Sequence, residues 1–141
     1  MSRSWQLVSL AVILATVTAQ AVAAPTTGRV AWVIDGDTFR LASGERIRLA
    51  GIDAPESRKD QARCAEEIAL GRDATRRAIE LLKNQVVTFE RVGRSYERTV
   101  ARVTLNGRDV GQQFIAEGIA RPWPPHRPKP DWCSGAVAPS E

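Results

Sequence analysis

Hydrophobic and polar positions alternate along most of the chain, and the period changes from segment to segment. Val30, Trp32 and Ile34, interleaved with Ala31 and Val33, form a run that is apolar throughout. It predicts a strand buried on most of its area, with Trp32 in the core. Asp35-Gly36-Asp37 is a turn signal, and Thr38 to Leu41 reads as the returning strand. Ser43-Gly44 turns the chain again. From Glu45 to Leu49, Ile47 and Leu49 take one face of a third strand, Arg46 and Arg48 the other. Ala65 to Lys83 has helical spacing: Ile68, Thr75, Ile79 and Leu82 share a face with Ala65 and Ala78, and charged residues fill the rest. Gly71 inside this run costs about 1 kcal/mol against Ala, so it marks either a close contact or the start of the helix. Gln85 to Val92 reads as a fourth strand and Thr99 to Leu105 as a fifth, with Ala101, Val103 and Leu105 on one face. Asn106-Gly107 is a tight turn, and Val110 to Glu117 is a short helix ended by Gly118.

Three strands, a helix, two strands and a helix make an α+β pattern. Five strands with a helix between the third and fourth suit a five-stranded Greek-key β-barrel of the OB type, with two or three helices packed on it. After Arg121 the texture changes. Six of the eight prolines lie there, which predicts an extended, polyproline-like tail over residues 122–141.

The apolar start is a separate matter. Arg3 precedes an apolar run from Leu7 to Val17, and Ala21-Val22-Ala23 offers small residues for cleavage. That is the pattern of a secretory signal peptide over residues 1–23. As a helix the run rises only about 16 Å, against a bilayer core of about 30 Å, so an uncleaved anchor is the weaker reading. The expected product is an exported chain, periplasmic or secreted, not inserted in a membrane, with residues 24–27 as a lead-in and residues 28–121 as the domain. The full chain carries a net charge of +4, and losing Arg3 leaves +3, a mild attraction for polyanions that Arg127 and Lys129 extend into the tail. Nothing in the sequence calls for more than a monomer.

Export bears on Cys64 and Cys133, which stand 69 positions apart in no metal-ligand or redox-motif spacing. Two cysteines in an oxidising compartment most simply form one disulfide, worth roughly 4 kcal/mol in the chain-entropy model. The single histidine, His126, excludes a two-His zinc site and makes a Ser-His-Asp triad rest on a Pro-rich tail. His126 and Trp132 are assigned to tail packing near Cys133.

Four segments carry candidate chemistry. Taken singly, Asp35-Gly36-Asp37-Thr38 and Asp53-Ala54-Pro55-Glu56 are turns with solvated acids, and Arg48 and Arg98 are surface charges. Taken together they fit one task. Two carboxylates and a backbone carbonyl make a hard oxygen cage suited to Ca²⁺. Two guanidinium forks suit the oxygens of a phosphate. A further carboxylate can deprotonate a water. These parts suffice for in-line hydrolysis of a phosphodiester.

The order Val33-Ile34-Asp35-Gly36-Asp37-Thr38, then Arg48-Leu49-Ala50-Gly51-Ile52-Asp53-Ala54-Pro55-Glu56, then Tyr96-Glu97-Arg98, then Gly118-Ile119-Ala120 resembles the staphylococcal nuclease (thermonuclease) family from about Gly28 to Arg121. The resemblance implies Asp37 and Asp53 as carboxylate ligands of Ca²⁺, the backbone carbonyl of Ala54 as a third ligand, and Asp35 as support behind them. It implies Glu56 as general base, Arg48 and Arg98 as the arginines that grip the scissile phosphate, and Tyr96 as an aromatic beside the bound nucleotide. The implied activity is a nuclease of low sequence specificity that cleaves DNA and RNA, with single-stranded or unpaired regions preferred, and leaves 3′-phosphates. The alternative is a module of the same fold that binds nucleic acid or protein without cutting. The sequence departs from the family where Glu97 replaces a Gly that could serve positive φ, and where Ser95 replaces a Lys. Trp123 is the candidate for an aromatic that stacks on a base.

Overall fold

The computed structural model describes residues 25–134, so the segment read as a leader lies outside the described residues. The chain forms β1 (Thr26–Asp35), β2 (Thr38–Leu41), β3 (Arg46–Leu49), β4 (Ile52–Asp53), α1 (Ala65–Leu82), β5 (Val86–Ser95), β6 (Arg98–Leu105), β7 (Arg108–Asp109), α2 (Val110–Ala116) and β8 (Arg121–Pro122). Antiparallel pairing runs in the order β3-β2-β1-β5-β6, and a parallel pairing of β3 with β6 closes the ring. The result is the expected five-stranded barrel, mixed in sense, with two helices. Parallel closure needs a long crossover, and α1 with β5 supplies it.

The core is built from Val30, Phe39, Leu41, Ile47, Leu49, Val87, Phe89, Ala101 and Val103 of the barrel, capped by Ala78, Leu82, Val110 and Phe114 of the helices. Cys64 caps α1, its sulfur accepting from the Glu67 N–H, and Asp109 caps α2 through the Gln112 N–H at 2.8 Å. Among the described residues no helix is long and apolar enough to cross a membrane.

Two readings of the pattern are corrected. Trp32 is not core but 62% exposed. The β1–β2 register shifts between Val30 and Trp32 and again between Val33 and Asp35, so the strand buries Val30 and Val33 in place of alternate residues. The buried stripe of α1 is Glu67, Gly71, Ala74, Ala78 and Leu82, whereas Ile79 is 40% exposed and Ala65 lies outside the stripe. Small residues bring this helix close, and closeness outweighs the size of the apolar groups that set the expected phase.

Arg77 of α1 clasps Glu117 at the end of α2 with two bonds of 2.6 and 2.9 Å. The Arg77 guanidinium, then the Gln113 amide, hold the Glu117 carboxyl down at about 2, against an ordinary value of 4.5. A depressed acid stabilises the fold fully above its unfolded pKa and loses that contribution as pH falls through the folded value. The pair is partly solvated, so Glu117→Gln should cost less than about 1 kcal/mol at pH 7. The difference from the unaltered protein in urea unfolding should shrink steadily below about pH 4.5.

Candidate active site

The Asp35-Gly36-Asp37 turn between β1 and β2 lies flat against two other elements. A Cβ on Gly36 would stand 2.8 Å from the Cβ atoms of both Ala54 and Ala74, so no other residue lets this turn sit against the β4 loop and α1 at once. Asp37 is nearly buried, and both its oxygens are engaged. Oδ1 accepts the Thr38 hydroxyl at 2.8 Å, and Oδ2 accepts the Ala54 N–H at 3.2 Å and Arg48 Nη2 at 3.1 Å. Asp35 Oδ1 accepts the Asp37 N–H at 3.1 Å. Burial first, then the Asp37 charge, push its carboxyl up to about 7.

Asp53 comes in on β4, held by pairing with β8 (Asp53 opposite Arg121), and is 1% exposed. Its Oδ2 accepts the indole N–H of Trp132 at 2.9 Å, and its Oδ1 lies 3.4 Å from Arg48 Nη2 and 3.6 Å from Lys129 Nζ. Burial pushes Asp53 up to about 6, against the opposing pull of Trp132, Lys129 and Arg48. Arg48 thus bridges two buried carboxylates with one nitrogen, gives Nη1 to the Ile52 carbonyl at 3.3 Å, and stacks 5.0 Å over the Trp123 ring.

Glu56 is placed by its backbone. Its N–H donates to Glu67 Oε1 at 3.3 Å, and the other Glu67 oxygen takes the Arg63 N–H at 2.8 Å, so one buried carboxylate holds both ends of the loop before α1. Gly71 lets the loop lie on the helix: a Cβ there would meet Glu56 O at 2.5 Å and Ser57 N at 2.6 Å. This is the close contact that an in-helix glycine predicted. The Glu56 carboxylate pairs with Lys129 Nζ at 2.7 Å. Arg98, at the start of β6, bonds Ser95 Oγ at 3.4 Å and has no carboxylate within ion-pair distance among the described residues. The cleft is open, about 950 Å³, and its walls include Asp35, Asp37, Arg48, Glu56, Tyr96 and Arg98.

A family model described as staphylococcal nuclease homologue matches residues 46–131. This chain belongs to the staphylococcal nuclease family. It is 30% identical over 95 residues to endonuclease YncB of Bacillus subtilis (strain 168), covering 62% of this chain and 44% of that protein. It is likewise 30% identical over 95 residues to the SPbeta prophage-derived endonuclease YokF of the same organism, covering 62% of this chain and 31% of that one. The matched region thus spans less than half the length of either relative.

Within this nuclease-family fold, six of the predicted site residues share the cleft and two lie beneath it. Asp53 and Ala54 are buried below the wall, and Asp53 is joined to it through Arg48 and Lys129. Among the described residues no group of three or more His, Cys, Asp and Glu side chains is arranged to hold an ion unaided. The positive φ in the third motif falls on Tyr96, at 54°, and not on Glu97, so the Gly-to-Glu change carries no backbone penalty there. Tyr96 is 92% exposed at the cleft mouth. Trp123 lines the cleft, with one face under Arg48.

Three residues of this site escaped the sequence reading. Lys129, taken as basic tail surface, sits in the acid cluster; Trp132, taken as tail packing, donates to Asp53; Glu67 anchors the Glu56 loop. One signal was available. The Cys64–Cys133 disulfide forms as expected, and Cys64 stands eight positions after Glu56, so the bond had to draw the tail across the site.

Proposed function

We propose that this chain is an exported, calcium-dependent endonuclease that hydrolyses phosphodiester bonds of DNA and RNA with little sequence specificity and leaves 3′-phosphates. The observation that carries the reading is that buried Asp37 and Asp53 share Arg48, with Asp37 and Arg48 lining one open cleft together with Glu56 and Arg98 and Asp53 lying just beneath it. Export is supported by the leader pattern over residues 1–23 and by the disulfide.

The donor set suits calcium. All the donors are oxygens, and two are carboxylates held out of water whose charge attracts cations, as their shared guanidinium illustrates, which supports a hard cation there. Asp37, Asp53 and the Ala54 carbonyl would hold the ion, with Asp35 behind them. When bound, calcium supplies positive charge against the phosphate.

The remaining work falls to side chains of this chain. Arg48 exchanges its carboxylate partners for oxygens of the phosphate, and Arg98 takes the opposite side, so charge developing on phosphorus is met by two forks. Glu56 accepts a proton from the attacking water. The water oxygen bonds to phosphorus, the bond to the 5′-oxygen breaks, and that oxygen takes a proton from solvent. No base contact is required, which accounts for low sequence specificity, and no ribose hydroxyl takes part, which admits DNA and RNA alike.

The test is incubation of purified protein with single-stranded DNA and RNA in Ca²⁺ and in EGTA, followed by end-group analysis. Cleavage in Ca²⁺ alone, with 3′-phosphate ends, is expected. Equal cleavage in EGTA would remove calcium from the reading. Binding without cleavage in Ca²⁺ would leave the non-cutting module of the same fold.

A further inference from the structure

On the calcium reading above, we propose that Lys129 is a tethered competitor for the metal site: its ammonium occupies the acid cluster and sets how tightly the protein takes a divalent cation. The cluster is balanced from within. Arg48 is shared by Asp37 and Asp53, and Lys129 by Asp53 and Glu56, so each of the three carboxylates has a cation within 3.6 Å.

The two cations are held differently. Arg48 rises from a barrel strand, stacks on Trp123 and donates to the Ile52 carbonyl. Lys129 comes from the irregular segment after β8, which is pinned on both sides of it. Upstream, the Trp123 N–H bonds the Gly51 carbonyl at 2.8 Å. Downstream, Trp132 bonds Asp53 at 2.9 Å, and Cys133 is joined to Cys64. Such a tether gives the ammonium a high local concentration at the carboxylates. An ammonium is also a compact, well-hydrated charge with no fixed fork, so it leaves for water without breaking a paired set of bonds.

A divalent ion on Asp37 and Asp53 would share Asp53 with this ammonium at a separation of a few ångströms. Like charges that close, in a poorly solvated site, exclude one another. Ion entry therefore expels Lys129, and the same event frees the Glu56 carboxylate from its 2.7 Å ion pair. Lys129 holds the proposed base masked until the cation arrives. Its role is that of a positioning residue.

The experiment titrates Ca²⁺ into metal-stripped full-length protein, without substrate, by calorimetry and by tryptophan fluorescence, with Trp132 on Asp53 as reporter. Lys129→Met should bind Ca²⁺ about tenfold more tightly, and Lys129→Arg, which keeps the charge, should show no such gain. Cutting the tether with the double variant Cys64→Ala/Cys133→Ala should tighten binding in the same direction, with little further gain when Lys129→Met is added. If the tether variant does not fold, the two Lys129 variants decide the matter. Equal or weaker Ca²⁺ binding by Lys129→Met, with the unaltered protein binding normally, overturns the competition and leaves the calcium reading standing. No Ca²⁺ binding by either protein overturns both.

Discussion

Glu56→Gln is expected to lower the rate of phosphodiester cleavage by about a hundredfold to ten-thousandfold, with Ca²⁺ binding retained. The substitution keeps the shape of the side chain and removes its capacity to take a proton. The backbone N–H that anchors this residue to Glu67 is untouched, so the loop stays in place. The ion pair with Lys129 is lost, while Lys129 keeps its charge and its contact with Asp53. Single-turnover cleavage of single-stranded DNA at saturating Ca²⁺ isolates the chemical step. A variant as fast as the unaltered protein would remove Glu56 from the mechanism and leave Asp35, another carboxylate in the cleft wall, to examine next.

Gly71→Ala should cost about 2 kcal/mol of stability, although Ala is the better helix former by about 1 kcal/mol. The added methyl would stand 2.5 Å from the Glu56 carbonyl oxygen and 2.6 Å from the Ser57 nitrogen, and these are backbone atoms with no rotamer to yield. The loop must lift from α1, carrying the Glu56 carboxylate with it. Cleavage should therefore fall along with the urea midpoint. Arg72→Ala, one position on and exposed, serves as control and should change stability by no more than about 0.5 kcal/mol. A Gly71→Ala protein as stable and as active as its parent would show that the loop is not pressed on the helix.

The strands and helices were readable because their causes are local. The Asp-Gly and Asn-Gly turns and the alternation in Arg46–Leu49 act within a few residues. The errors arose where a distant neighbour chose the side. The register shifts in β1 answer to β2, and they put Trp32 outside. The phase of α1 answers to the Gly36 turn and the Glu56 loop, which select Gly71 and Ala74 over Ile79. Hydrophobic size carries no record of how closely two backbones approach.

The same division runs through the site. Residue order along the chain was enough to nominate Asp37, Arg48, Asp53, Glu56 and Arg98, because motif spacing preserves the chemistry a phosphodiester needs. That Lys129 and Trp132 belong with them follows from folding alone. A disulfide across 69 positions and a two-residue pairing of β4 with β8 draw the tail over the carboxylates. Spacing in sequence records what lies a few bonds away; which charges meet in space depends on chain closure, and closure is a property of the whole barrel.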